Sequence, residues 1–272
     1  MIAERPLLAA RNLSFRPPGR GASDRTTLGP LDLAVVRGEI LAVIGKNGAG
    51  KTTLLRLLAG LLTPETGEVM VDGSDLGALR RREVAQRVAY VPQLRPADLP
   101  LTVWQLVLQG RFPHLSPVQL ALAPDDFDRA RAAMVLAGVE HLAERRLTEL
   151  SGGERQAAFI AAALAQEAEI LLLDEPTTHL DASHQRDTVA LLRHLRTHAG
   201  RTVVLATHDL NAAAALADRL VALSEGRIAA EGTPHELLTE DGLATLFGAS
   251  FEVLSSGGRL RTLLRFGSEV RE

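Results

Sequence analysis

Residues 45–52 read Gly-Lys-Asn-Gly-Ala-Gly-Lys-Thr, which fits the spacing G-x-x-x-x-G-K-T. That pattern suits the binding of a polyphosphate. Glycines at 45, 48 and 50 let the backbone curl so that successive N–H groups, those of Asn47 and Ala49 among them, converge on an anion. A helix starting near Lys51 adds its positive N-terminal end. Lys51 reaches the outer phosphates, Thr52 is placed to ligate Mg2+, and Thr53 follows in the same turn. The glycine spacing is not the G-x-G-x-x-G of a dinucleotide site. Lys46 and Lys51 are the only lysines, and every other residue among the 30 Lys and Arg is arginine. A narrow loop takes a compact ammonium on a flexible stem better than a planar guanidinium, which accounts for Lys51. Lys46 occupies a variable position of the pattern and reads as an exposed loop residue.

A strand must deliver this loop and a helix must leave it. Glu39 to Gly45 (EILAVIG) is continuously apolar after its first residue, as expected of a strand buried on both faces of a parallel sheet. ILLLDEP from Ile170 and TVVLATHD from Thr202 repeat that character. Helical patterns follow at 52–62, 182–198 and 211–219, with Gly60 and Pro64 closing the first. Leu7–Phe15 and Leu31–Val35 read as strands flanking an exposed Pro/Gly/Arg-rich loop, GEVMVDG as an antiparallel strand and turn, and 220–232 as a hairpin around Glu225-Gly226. Residues 94–166 carry several prolines and helical patterns but no convincing strand. The expectation is an α/β fold: a P-loop nucleotide-binding core with an antiparallel β subdomain over 1–93 and 167–272, and an inserted helical subdomain over 94–166.

Apolar residues make up 46% of the 272, the formal net charge is -3, and cysteine is absent. A disulfide framework and a thiolate metal site are excluded, and no general attraction to nucleic acid is implied. No apolar run approaches the roughly 18 residues of a membrane-spanning helix, and the N-terminus lacks a signal-peptide core. His194 and His198 stand one helical turn apart, but neither a third ligand nor an HExxH glutamate accompanies them. Asp125-Asp126 reads as a solvated helix start.

Two further stretches resemble the motifs of ABC-type ATPases. Leu150–Glu154 (LSGGE) resembles the family signature, and Ile170–Pro176 resembles its Walker B strand, ending in Asp174 and Glu175. Gln93 in YVPQ is similar to the Q-loop glutamine, Asp181 in THLD to the D-loop, and His208 in THD to the switch histidine. All occur in the family's order. The resemblance implies ATP and Mg2+, with Thr52, Gln93 and Asp174 around the metal, Glu175 acting on the attacking water, and Gln93 and His208 completing the catalytic set. Ser151, Gly152 and Gly153 open a helix whose N–H groups form an anion site. In the family that site meets ATP bound to a second copy, which implies a head-to-tail dimer. Family members stack adenine on an aromatic near the end of the first strand. Pro17 stands there in this chain, so Phe15 is the candidate, with Arg16 as a cation–π alternative. Ala157 and Ala162 occupy positions where the family commonly has arginine.

LTVWQLVLQGRFPHL, PTTHLDASHQ and THDLNAAAALADR resemble the ATPases of importers for iron-siderophores, haem and cobalamin. The implied role is the ATP-hydrolysing subunit on the cytoplasmic face of the cell membrane. It would drive separate permease subunits, meet a binding protein only indirectly, and have no nucleic-acid partner. A soluble ABC ATPase acting on nucleic acid, the ribosome or cofactor assembly is the alternative; the single motif set, lack of heptads and slight negative charge weigh against it. A GTPase would need an Asn-Lys-x-Asp guanine reader, and no third lysine exists to build one.

Overall fold

Apolar alternation decides where each segment goes. The computed structural model describes residues 5–17, 28–93, 99–115, 121–178, 180–257 and 259–265. The loop expected between the first two strands lies largely outside the described residues, as do the opening of the helical segment at 94–98 and the side chain of His198. The chain begins with β1 (Leu8–Phe15), β2 (Leu28–Val35), β3 (Ile40–Ile44), α1 (Lys51–Leu58), β4 (Thr66–Val71), β5 (Ser74–Asp75), α2 (Arg81–Ala85) and β6 (Val88–Val91). Three helices follow: α3 (Val103–Gln109), α4 (Pro124–Leu136) and α5 (Gly152–Ala165). Then come β7 (Ile170–Asp174), α6 (Ala182–Ala199), β8 (Thr202–Thr207), α7 (Leu210–Leu216), β9 (Arg219–Ser224) and β10 (Arg227–Gly232). The last elements are α8 (Pro234–Leu237), α9 (Glu240–Phe247), β11 (Phe251–Ser256) and β12 (Arg259–Leu264).

The central sheet has the order β10-β9-β3-β8-β7-β6, parallel except for β10. β3, β7 and β8 are buried at every residue. Leu41 and Val43 enter one apolar cluster with Leu54 and Leu58 of α1, while Ile40, Ala42 and Ile44 enter another with Leu192, Leu195 and Ala213 of α6 and α7. A period of two with core on both faces leaves no position for a polar side chain within β3 and confines those of β7 and β8 to strand ends, at Asp174, Thr202 and Thr207. The antiparallel sheet β2-β1-β4-β5 closes the α1 side through Leu8, Leu13 and Val71. Neither β6 nor the elements after β10 were expected from the sequence, and β2 starts three residues earlier than the pattern suggested.

A third cluster joins α3, α4 and α5 through Val103, Val107, Ala130, Met134, Ala158 and Ala161. Phe159 and Leu164 of α5 touch both this cluster and the sheet's, so α5 connects the helices to the sheet. Here one expectation is corrected. A helix, α4, does start at Asp125-Asp126, with Pro124 as its first residue, but Asp126 is buried rather than solvated. Its carboxylate accepts the Ala123 N–H at 2.9 Å and the Arg111 Nε–H at 2.9 Å. The Arg111 side chain is 3% exposed and also donates to the Ala165 carbonyl at 2.5 Å and to Glu167 at 2.8 Å. Gly110 makes this possible: a Cβ there would stand 2.2 Å from the Ala162 carbonyl oxygen, which as backbone has no room to yield. The end of α5 is thus held by an arginine from another segment.

Candidate active site

The phosphate loop joins β3 to α1, and glycine is obligatory at its base. Gly45 has φ +153°, and a Cβ on it would lie 2.3 Å from the Leu223 carbonyl oxygen of β9. Gly50 caps α1 at φ +104°, a left-handed conformation that L side chains avoid. A cleft of about 730 Å³ opens above the loop. Asn47, Gly48, Gly50, Lys51, Thr52 and Thr53 form one wall, and Gln93, Glu175, Thr178, Gln185 and His208 stand among the residues opposite. Ala49 is buried, with its N–H on the Lys46 carbonyl at 3.2 Å.

The Lys51 side chain is 7% exposed. Its Nζ donates to the Gly45 carbonyl at 2.8 Å and to the Lys46 carbonyl at 3.3 Å, and lies 3.7 Å from Glu175 Oε1. Burial pushes the ammonium pKa down, while Glu175 and Asp174 pull it back. Lys46 is exposed, as expected, yet it has a definite neighbour. Gly248 ends α9 in a left-handed conformation, and a Cβ on it would stand 3.3 Å from Lys46 Nζ. The ammonium therefore lies at a helix C-terminus, where the peptide dipoles favour a cation.

Asp174 ends β7 and is 1% exposed. It accepts the Thr52 hydroxyl at 3.0 Å and the Tyr90 hydroxyl of β6 at 3.3 Å. Burial raises its pKa, and those two hydrogen bonds partly restrain the rise. Glu175, just past the strand, adopts φ +52°, an uncommon conformation for a non-glycine residue that costs about 1 kcal/mol or more. Its N–H still bonds the Ala206 carbonyl of β8 at 2.8 Å. The twist sets its carboxylate in the cleft, where Oε2 accepts the Thr178 hydroxyl at 2.7 Å and His208 Nδ1–H at 2.8 Å. With Nδ1–H donating to Glu175, the other ring nitrogen of the half-exposed imidazole, Nε2, is left for a further partner.

The remaining expected residues stand elsewhere. Ser151 caps α5, accepting the Glu154 N–H at 3.3 Å while Glu154 accepts the Ser151 N–H at 2.8 Å. Asp181 caps α6, and neither it nor Ser151, Gly152 and Gly153 line the cleft. Phe15 packs against the core between the two sheets and does not line the cleft, while Arg16 lies 4.0 Å from Glu65. His179 of the THLD stretch falls outside the described residues. Tyr90, Thr178 and Gln185 were not anticipated. Tyr90 is the only tyrosine and stands three residues before Gln93, which was the available signal.

The comparisons with known proteins agree with this geometry. The ABC transporter family profile matches residues 28–178. The ferric enterobactin transport ATP-binding protein FepC of Escherichia coli is 42% identical over 80% of this chain and 80% of its own. The hemin import ATP-binding protein HmuV of Nocardia farcinica is 43% identical over 91% of this chain and 84% of its own. Among solved structures, the dimeric bacterial ABC transporter cassette MJ0796 superposes with a TM-score of 0.71 at 27% identity, covering 84% of this chain and 98% of that one. The chain belongs to the ABC transporter family.

Proposed function

We propose that this chain is the ATP-hydrolysing subunit of an importer for an iron chelate, haem or cobalamin, seated on the cytoplasmic face of the membrane. The observation that carries this reading is a division of the site. Lys51, Asp174, Glu175 and His208 gather in one cleft, while Ser151, Gly152, Gly153 and Asp181 stand away from it. A head-to-tail pair would bring each signature helix onto the other copy's nucleotide, and the bacterial cassette it resembles is itself dimeric. Among the described residues no helix is long and apolar enough to cross a membrane, so the permease would be separate chains. The enterobactin and hemin relatives support the cargo class.

In this reading the loop N–H groups and Lys51 hold the polyphosphate and screen its charge. Glu175 orients the attacking water and takes its proton, held in place by Thr178 and His208. His208 Nε2 meets the terminal phosphate. The Thr52 hydroxyl and Asp174 carboxylate are hard oxygen donors 3.0 Å apart, with Gln93 on the same cleft. Oxygen donors of this kind suit Mg2+, which is commonly bound by one or two carboxylates together with substrate phosphates. Held by Thr52, Asp174 and Gln93, Mg2+ would supply neutralisation of the polyphosphate's negative charge. Residues 94–166 act as the helical subdomain that passes closure to the permease.

Uptake in cells lacking this subunit tests the reading directly. Labelled ferric siderophores, haem and cobalamin are compared, with the wild-type chain and Glu175→Gln supplied in turn. Restoration of one uptake by the wild type alone is expected. Restoration of none refutes the importer role for this cargo class, and equal restoration by Glu175→Gln refutes the coupling of uptake to hydrolysis at Glu175.

A further inference from the structure

The signature and the D-loop residue lie thirty residues apart in sequence, on different helices, yet one side chain joins them. His184 lies in the first turn of α6. A Cβ placed on Gly153 would stand 2.3 Å from both Cγ and Cδ2 of the His184 ring. The imidazole therefore occupies the volume where any side chain at Gly153 would go, and it rests directly on the backbone that opens α5.

The ring is also held from the other end. Its Nδ1 lies 2.9 Å from Asp181 Oδ2, and a carboxylate can only accept, so Nδ1–H donates. Asp181 is fixed independently, because its Oδ1 accepts the His184 N–H at 2.9 Å and the Ser183 hydroxyl at 2.7 Å. Those bonds hold the Asp181 carboxyl well below the usual carboxylate range. Beside this contact a cavity of about 740 Å³ lies between α5 and α6, with Gly153, Ala157, His184, Thr188 and Leu191 on its walls. Farther along, Ile160 of α5 and Leu192 of α6 enter one apolar cluster, so at the signature end the ring is the contact that faces Gly153.

We infer that His184 is a positioning residue that sets the signature backbone and the D-loop at one spacing, so that each copy presents both to its partner's nucleotide as a single block. The inference rests on the proposed two-copy site. The ring contact carries more of the effect than the hydrogen bond, since Asp181 keeps its backbone and Ser183 bonds without it. The Asp181 carboxylate is moreover 64% exposed, where a pairing contributes little.

The test uses the full chain carrying Glu175→Gln, in which ATP is expected to trap the dimer, read by light scattering across protein concentration. Adding His184→Ala should raise the concentration for half-dimerisation about tenfold, the range of directly coupled contacts. His184→Phe, which keeps a ring against Gly153, should recover most of that loss, and His184→Gln, which keeps only a hydrogen bond, should not. In the otherwise wild-type chain, His184→Ala should lower kcat while a fluorescent ATP analogue binds single copies with unchanged affinity. Dimerisation of His184→Ala like its parent overturns the inference, as does rescue by Gln equal to that by Phe. A parallel loss of single-copy affinity or thermal stability also overturns it, because that is what a general structural role would give. If the Glu175→Gln parent fails to dimerise with ATP, the two-copy reading itself falls, and the inference with it.

Discussion

Replacing Arg111 by methionine removes a buried guanidinium from three acceptors on two other segments: Asp126, Glu167 and the Ala165 carbonyl. Breaking a buried ion pair by deleting one partner costs about 3–5 kcal/mol, because the other charge is left uncompensated. Glu167 is a third exposed and keeps Arg129 at 2.6 Å, and Asp126 keeps the Ala123 N–H at 2.9 Å. These remaining contacts place the loss at the low end, about 3 kcal/mol. For a chain of this size each kcal/mol moves the thermal midpoint by about 2–4 °C, so Arg111→Met should melt about 6–12 °C lower by far-UV circular dichroism. Adding Asp126→Asn should recover part of that fall, since the amide oxygen still accepts the Ala123 N–H and no buried charge remains. A drop under about 2 °C would refute the accounting. So would a double variant no more stable than Arg111→Met, because the penalty would then not come from a stranded carboxylate.

Acid should act on the same cluster. Burial opposes ionisation of Asp126 and Glu167, but the Ala123 N–H and Arg111 at the first, and Arg129 and Arg111 at the second, outweigh it and hold both carboxyls below their ordinary values. Depressed carboxylates stabilise the fold fully above their unfolded pKa near 4, and that stability is lost as pH falls through the folded pKa. Thermal midpoints of wild type and Arg111→Met should therefore converge below about pH 4; a constant gap would contradict the assignment. Glu175→Gln should lower kcat about 10²–10⁴-fold with ATP binding retained, and near-normal steady-state turnover would remove Glu175 from its role. Lys51→Arg should weaken ATP binding about tenfold or more in equilibrium titration, because the ammonium sits among the Gly45 and Lys46 carbonyls with no room for a planar fork; unchanged affinity would refute the shape argument. Specific ATPase activity should rise with protein concentration if each site needs Ser151 of a second copy, and a flat profile from nanomolar upward would count against the divided site.

The parts of the fold legible in sequence are those in which one local signal suffices. EILAVIG, ILLLDEP and TVVLATHD are apolar on both faces, and only a covered parallel strand wants that. The Gly45–Thr52 loop needs positive φ and a compact cation, both written in residue type. Asp126 was misjudged because an acidic pair beside Pro124 looks the same whether it faces water or a guanidinium brought from Arg111. Tyr90 sits in a four-residue strand too short to declare a period, and its bond to Asp174 depends on strand order, which no local pattern carries. Phe15 is ambiguous for a related reason: an aromatic at a strand end serves a core or a ligand equally, and in the structure it is part-buried with its ring packed against the core.

Lys46 had no role in the chemistry as read from the loop alone, and the structure seats its ammonium at the end of α9. On the far side of the cleft, Asn211 donates to the Thr262 carbonyl at 3.2 Å and accepts its N–H at 2.8 Å, which ties the turn after His208 to the last hairpin. The segment beyond β10 thus contacts two elements that carry site residues, the phosphate loop at Lys46 and the start of α7 just after His208. A chain cut after Gly232 would still spell every motif by which this family is recognised, while losing both braces. Carrying every motif and bracing the elements that bear them are therefore different properties of this protein, and trimming or fusing beyond β10 is an intervention on the elements that flank the nucleotide cleft.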